Sequence, residues 1–161
     1  MNILALDLGT HTGWAQCRDG QPSSGTWLLA TEKELREQRK AGLARCCDCR
    51  FDRLRQHILI QFPVDIIAFE DVQFLSSQAQ SQLWAGFRTV VTLFHRPARL
   101  LAVPVGTLKK FATGNGNAKK EDMGAAWRNT HGLLSTEGRD DNEIDALHLL
   151  EYAKLHHSEA K

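Results

Sequence analysis

The chain of 161 residues has no apolar run approaching the ~20 residues that cross a bilayer, so a membrane-spanning segment is not expected. Its start, Met1-Asn2-Ile3-Leu4, lacks the basic residues and long apolar stretch of a secretion signal, and the expected location is cytoplasmic. Cysteine is sparse: Cys17 stands apart, and Cys46, Cys47 and Cys49 crowd one short stretch. A structural zinc site wants two separated pairs of ligands. Only His57 follows this stretch and no second cysteine pair exists, so reduced thiols on a helix are the expectation. There is no internal repeat and no linker-like segment, which leaves one domain over 1–161.

The most informative absence is of negative charge. Between Val72 and Lys120 there is no Asp or Glu, while Arg88, Arg96, Arg99, Lys109, Lys110, Lys119 and Lys120 fall in that stretch. The net charge of +1 conceals this, because acids gather from Glu137 to Glu151. A polyanion partner accounts for such a distribution, since phosphates attract Lys and Arg and repel carboxylates. A basic, solvated surface is the plainer reading.

Apolar periodicity orders the elements. Asn2 to Leu8 reads as a buried strand, and Gly13–Cys17 and Gly25–Leu29 as two more, with Asp19-Gly20 as a hairpin turn. Thr31 to Gln61 has helical pattern with a break near Gly42, ended by Pro63. Val64 to Phe69 is a strand, Ser77 to His95 a helix, Arg99 to Val103 a strand, Gly106 to Ala112 a short helix, and Ala118 to Thr130 and Asp140 to His156 are helices. Three hairpin strands followed by alternating strand and helix predict an α/β fold, a mixed sheet with helices packed on it.

Three carboxylates stand in apolar surroundings. Asp7 shares a strand face with Ile3 and Ala5. Glu70 closes the run Ile66-Ile67-Ala68-Phe69, and Asp145 borders the apolar face of the last helix with no Lys or Arg at i±3 or i±4. Burying an unpaired carboxylate costs several kcal/mol. Convergence of all three on divalent cations resolves the cost, and hard oxygen ligands suit Mg²⁺ or Mn²⁺. Two such ions ~4 Å apart serve phosphodiester cleavage. The ordinary role of an acid at an element's end is to cap it: Asp140 reads as an N-cap, with Glu143 closing a capping box.

The blocks Leu4-Ala5-Leu6-Asp7-Leu8-Gly9-Thr10 with Thr12-Gly13-Trp14-Ala15, Ala68-Phe69-Glu70-Asp71, Lys109 through Lys120, and Asp141-Asn142-Glu143-Ile144-Asp145-Ala146-Leu147 resemble, in order, those of RuvC-like Holliday junction resolvases, especially phage and prophage forms. The segment from Thr31 to Gln61 resembles them least. The resemblance implies an RNase H-like mixed sheet, a homodimer, two Mg²⁺ ions per site (Mn²⁺ substituting) and nicking of four-way DNA junctions. It makes Asp7, Glu70 and Asp145 the metal-binding acids. The family's fourth ligand, an Asp or His, falls at Asn142 here, so either Asn142 serves or Asp141 does. Lys120 takes the place of a lysine near the scissile phosphate. Lys109, Lys110, Lys119 and Arg88 are expected to contact DNA, and Phe74 to be the aromatic residue inserted near the crossover, or else an ordinary packing residue.

Other readings are an RNase H-like nuclease acting on RNA or RNA–DNA hybrids, as in YqgF-type proteins, and a DNA-binding module with weak or lost catalysis. Asp7-Leu8-Gly9-Thr10 also resembles the phosphate loop of the actin and sugar-kinase fold, which needs two lobes and about twice this length. The helix around Leu83, Trp84, Ala85, Gly86 and Phe87 is either a dimer interface or core.

Overall fold

The computed structural model describes residues 1–43, 48–72 and 77–157. Five strands form one sheet: β1 (Ile3–Asp7), β2 (His11–Arg18), β3 (Gln21–Leu28), β4 (Ile66–Asp71) and β5 (Arg99–Pro104). Their spatial order is β3-β2-β1-β4-β5. β1, β2 and β3 pair antiparallel, while β4 joins β1 and β5 joins β4 in parallel. The helices among the described residues are α1 (Glu32–Lys40), α2 (Cys49–Ile60), α3 (Gln78–Thr92), α4 (Val105–Thr113), α5 (Lys120–His131) and α6 (Asp141–His156). A 3₁₀ turn at Leu133–Thr136, which the periodicity does not signal, precedes α6.

The β2–β3 hairpin turns where expected. Asp19 (φ 51°) and Gly20 (φ 81°) both take positive φ, as a two-residue turn with matched twist requires. Gly42, also at positive φ (70°), lies where the pattern breaks between α1 and α2. Cys49 opens α2 and Cys17 lies in β2, both as free thiols, whereas Cys46 and Cys47 fall outside the described residues.

Alternation along the central strands splits the core in two. Leu4, Leu6, Ile67 and Phe69 pack with Leu54 and Ile58 of α2 and Phe87, Val90 and Val91 of α3. Ile3, Ala5, Ile66 and Ala68 pack on the other face with Leu108 of α4, Met123 and Trp127 of α5, and Ile144, Ala146, Leu149, Leu150 and Ala153 of α6. A Cβ on Gly86 would lie 2.2 Å from the Phe51 ring, so this part of α3 meets α2 directly. Phe87, at the end of the 83–87 stripe, is core. No helix is long and apolar enough to cross a membrane among the described residues.

Candidate active site

Period two puts Asp7 on the Ile3–Ala5 face and Glu70 on the Ile66–Ala68 face, and both strands present that face to α6. The strands are parallel, and Asp7 and Glu70 each lie one residue past the Leu6–Phe69 pair. Their backbones are therefore one inter-strand spacing apart, about 5 Å. The third acid arrives on α6, and a glycine lets it do so. Gly13 is the register partner of Asp7 on β2. A Cβ at Gly13 would lie 1.9 Å from the backbone carbonyl oxygen of Asn142. The first turn of α6 thus rests on bare backbone, and Asp145 is carried over the ends of β1 and β4.

Burial is the largest cause raising the pKa of all three acids, and neighbouring carboxylates add to each shift. Asp7 is pushed well above the usual carboxylate range by burial, then by the charges of Glu70 and Asp145. Glu70 is raised to about 7 by burial and by Asp145. Asp145 is raised to about 6, chiefly by burial, with Asp141 adding to the shift. Lys120 opposes the shift at all three, and Lys109 at Glu70 and Asp145. No ion pair or hydrogen bond to any of the three side chains is found among the described residues. Asp48, by contrast, takes the Arg50 guanidinium at 2.6 Å.

The neighbouring acids divide by task. Asp140 caps α6 as expected, its Oδ1 accepting from the Glu143 amide at 2.9 Å and from the Thr26 hydroxyl at 2.7 Å. Glu143 departs from expectation. Its carboxylate does not close a capping box but accepts from the Ser24 hydroxyl at 2.7 Å and Arg139 Nε at 2.9 Å. Strand β3 offers Glu143 a part-buried hydroxyl, so the side chain turns to β3 rather than back to its own cap. Asp141 is exposed and meets Lys120 Nζ at 3.7 Å. Asn142 is half-buried at the Gly13 contact.

The turn after Asp7 is closed locally. Thr12, fully buried, donates its hydroxyl proton to the Gly9 carbonyl at 2.7 Å, and Arg50 Nη1 donates to Thr10 Oγ1 at 3.0 Å. Lys110 and Lys119 are exposed on α4 and just before α5. Arg88 lies 3.9 Å from Asp71, beside Glu70, and its guanidinium stacks over Trp84 at 5.5 Å. Phe74 lies outside the described residues. Sequence reasoning grouped Lys109 with outlying phosphate contacts, but the fold brings it to the acids. Leu108 is turned into the core and Phe111 meets Tyr152 of α6, while Lys109 lies within the field of Glu70 and Asp145.

As a donor set this is three part-buried carboxylates and a neutral amide, all oxygen donors of the kind hard divalent cations take. As they stand, no three His, Cys, Asp or Glu side chains among the described residues form a group that could hold a metal ion. The fit therefore rests on chemistry: mutually repelling carboxylates, with raised pKa values and no partner, are neutralised by a cation brought among them.

No protein-family model and no curated protein sequence matches the chain. Solved structures do. RuvC of T. thermophilus in complex with a Holliday junction substrate superposes with a TM-score of 0.68 at 19% identity, covering 96% of each chain. A second T. thermophilus RuvC structure gives 0.64 at 20% identity with the same coverage. The yeast mitochondrial Holliday junction resolvase Ydc2 gives 0.59 at 11% identity, covering 97% of this chain and 80% of that one. With the mixed β3-β2-β1-β4-β5 sheet between two helical layers, this gives the chain the RNase H-like fold of the RuvC resolvases.

Proposed function

We propose that this protein is a divalent-metal-dependent endonuclease that hydrolyses phosphodiester bonds in branched DNA, the four-way junction foremost. The observation that carries this reading is the meeting of Asp7, Glu70 and Asp145, part-buried acids without an ion pair or hydrogen bond among the described residues. The RuvC neighbour solved with a Holliday junction supports the choice of substrate.

In this reading Asp7, Glu70 and Asp145 hold Mg²⁺, or Mn²⁺ in its place, as two ions, with Asn142 or Asp141 as the further ligand. Bound there, the ions stabilise negative charge building on the phosphate and make water nucleophilic near neutral pH. The protein's own groups do the rest. The carboxylates would hold the ions only when ionised, so cleavage is expected to rise with pH through the region of about 6 to 7 to which Asp145 and Glu70 are raised. Lys120, whose field reaches all three acids, steadies the charge of the transition state, and Lys109 assists from the α4 side. Lys110, Lys119 and Arg88 hold flanking phosphates and orient the DNA. Paired nicks need two such sites, so the working form is a homodimer.

The test is Asp7→Asn. This variant is expected to lose at least ~10³-fold in junction cleavage while binding the junction in EDTA as the wild type does. Normal cleavage by Asp7→Asn in Mg²⁺ overturns the proposal. Competition of labelled junctions with linear duplexes and RNA–DNA hybrids then fixes the substrate. Preference for hybrids would move the assignment to the YqgF-type activity.

A further inference from the structure

Among the buried polar side chains, His148 has no part in the chemistry above. It is 6% exposed, and Nε2 donates to the Met123 carbonyl on α5 at 3.0 Å. This hydrogen bond joins the two helices that carry Lys120 and Asp145.

The two helices meet along matched stripes. On α6, Asp141, Asp145 and His148 follow at i, i+4 and i+7, one face of the helix. On α5, Lys120, Met123 and Trp127 follow at i, i+3 and i+7. Lys120 meets Asp141 at the open end, at 3.7 Å, and its field reaches Asp145. His148 bonds Met123 one turn further in, and below that the Trp127 ring stands edge-on to the His148 ring at 5.0 Å. His131 stacks on the far side of Trp127 at 3.8 Å. The hydrogen bond is thus three residues, ~4.5 Å along each axis, from Lys120 on one helix and Asp145 on the other. The long, exposed Lys120–Asp141 ion pair and the ring contact of Trp127 tolerate sliding; a buried directional bond to a main-chain oxygen fixes one register.

We infer that His148 is a positioning residue: by bonding the Met123 carbonyl it sets the register of α5 on α6, and so holds Lys120 over the acid centre. The inference rests on the nuclease reading for its effect on cleavage, but the placement of Lys120 can also be read without cleavage. Burial pushes the His148 pKa down, which keeps the ring neutral and suits it to a fixed donor role.

Two variants separate positioning from bulk. His148→Leu keeps volume and removes the donor, and His148→Gln offers an amide N–H to the same carbonyl. His148→Leu is expected to lower kcat for junction cleavage ~10-fold with KM within ~2-fold, and His148→Gln to recover most of it. Added to Lys120→Ala, His148→Leu should cost little more, because both act through one group; a merely structural residue would add its full effect. In EDTA, where cleavage is absent, His148→Leu should lower the slope of log binding constant against log salt by about 1, because Lys120 then no longer neutralises its phosphate. Should His148→Leu not fold, His148→Asn, too short to reach the carbonyl, takes its place in the cycle. Wild-type kcat in a folded donor-free variant, full additivity with Lys120→Ala, or an unchanged salt slope overturns the inference. If the wild type does not cleave junctions, the nuclease reading fails, and the salt slope alone decides the placement of Lys120.

Discussion

An isolated glutamate is fully ionised at neutral pH, whereas burial and the charge of Asp145 raise Glu70 to about 7. The consequence for stability has a definite sign. Between the unfolded value near 4.5 and the folded value near 7, the folded state holds more protons than the unfolded one, so stability falls as pH rises through that window. Asp145, raised to about 6, adds to the same slope. In EDTA these acids are therefore expected to lower the melting temperature between pH 5 and pH 8, against His57 and His148, whose depressed pKa values favour the folded state as pH rises through the lower part of that window. Glu70→Gln should remove a large part of that drop, stabilising the metal-free protein at pH 8 by on the order of 1–2 kcal/mol. Thermal denaturation at the two pH values checks it, and a variant as pH-sensitive as the wild type would contradict it. The three acids were legible in the sequence because each interrupts an apolar pattern. The place of Lys109 was not, because it depends on how α4 is seated against the sheet and the other helices in three dimensions.

Strands and helices were largely legible, to within two or three residues at most ends, since period-two and period-3.6 patterns alternate cleanly along the chain. What one dimension hides is how closely two elements approach. Gly13 reads in sequence as the point where a turn passes into a strand, and nothing there signals that it lies within β2 with Asn142 of α6 against its bare Cα. The two close glycines predict different outcomes. At Gly86 a methyl would meet the Phe51 ring between α2 and α3, on the sheet face away from the acids, whereas at Gly13 it would meet the backbone of α6 at 1.9 Å. Gly13→Ala must push α6 off the sheet and with it Asp145. It is expected to lower cleavage ~10²-fold or more and to weaken Mn²⁺ binding, measured by calorimetry, while Gly86→Ala leaves both within a few-fold. Equal Mn²⁺ affinity in Gly13→Ala and wild type would refute this account of how the acids are assembled.

Across the whole molecule, charge is sorted rather than abundant: net +1, yet with no acid from Val72 to Lys120. The fold brings part of that linear run to the acid centre: Lys109 and Lys120 lie within its field, and Lys110 and Lys119, their neighbours in the chain, are exposed, whereas Arg99 stands at the other end of the sheet and binds the His157 carbonyl. Junction binding should accordingly weaken steeply with salt. Joint replacement of Lys110 and Lys119 by Ala is expected to lower the salt slope by about 2 and to affect all DNA sequences alike. Binding isotherms over a range of salt decide this, and an unchanged slope would place the DNA elsewhere. The β2–β3 hairpin braces the helix that carries Asp145: at the sheet's rim Ser24 and Thr26, alternate residues of β3, donate hydrogen bonds to Glu143 and Asp140 at the head of α6. Rim strands fray sooner than central ones. On the proposed function, gentle warming should thus silence cleavage while the central strands β1 and β4 are still paired, and the temperature at which cleavage disappears would mark the loosening of the hairpin rather than the melting of the protein.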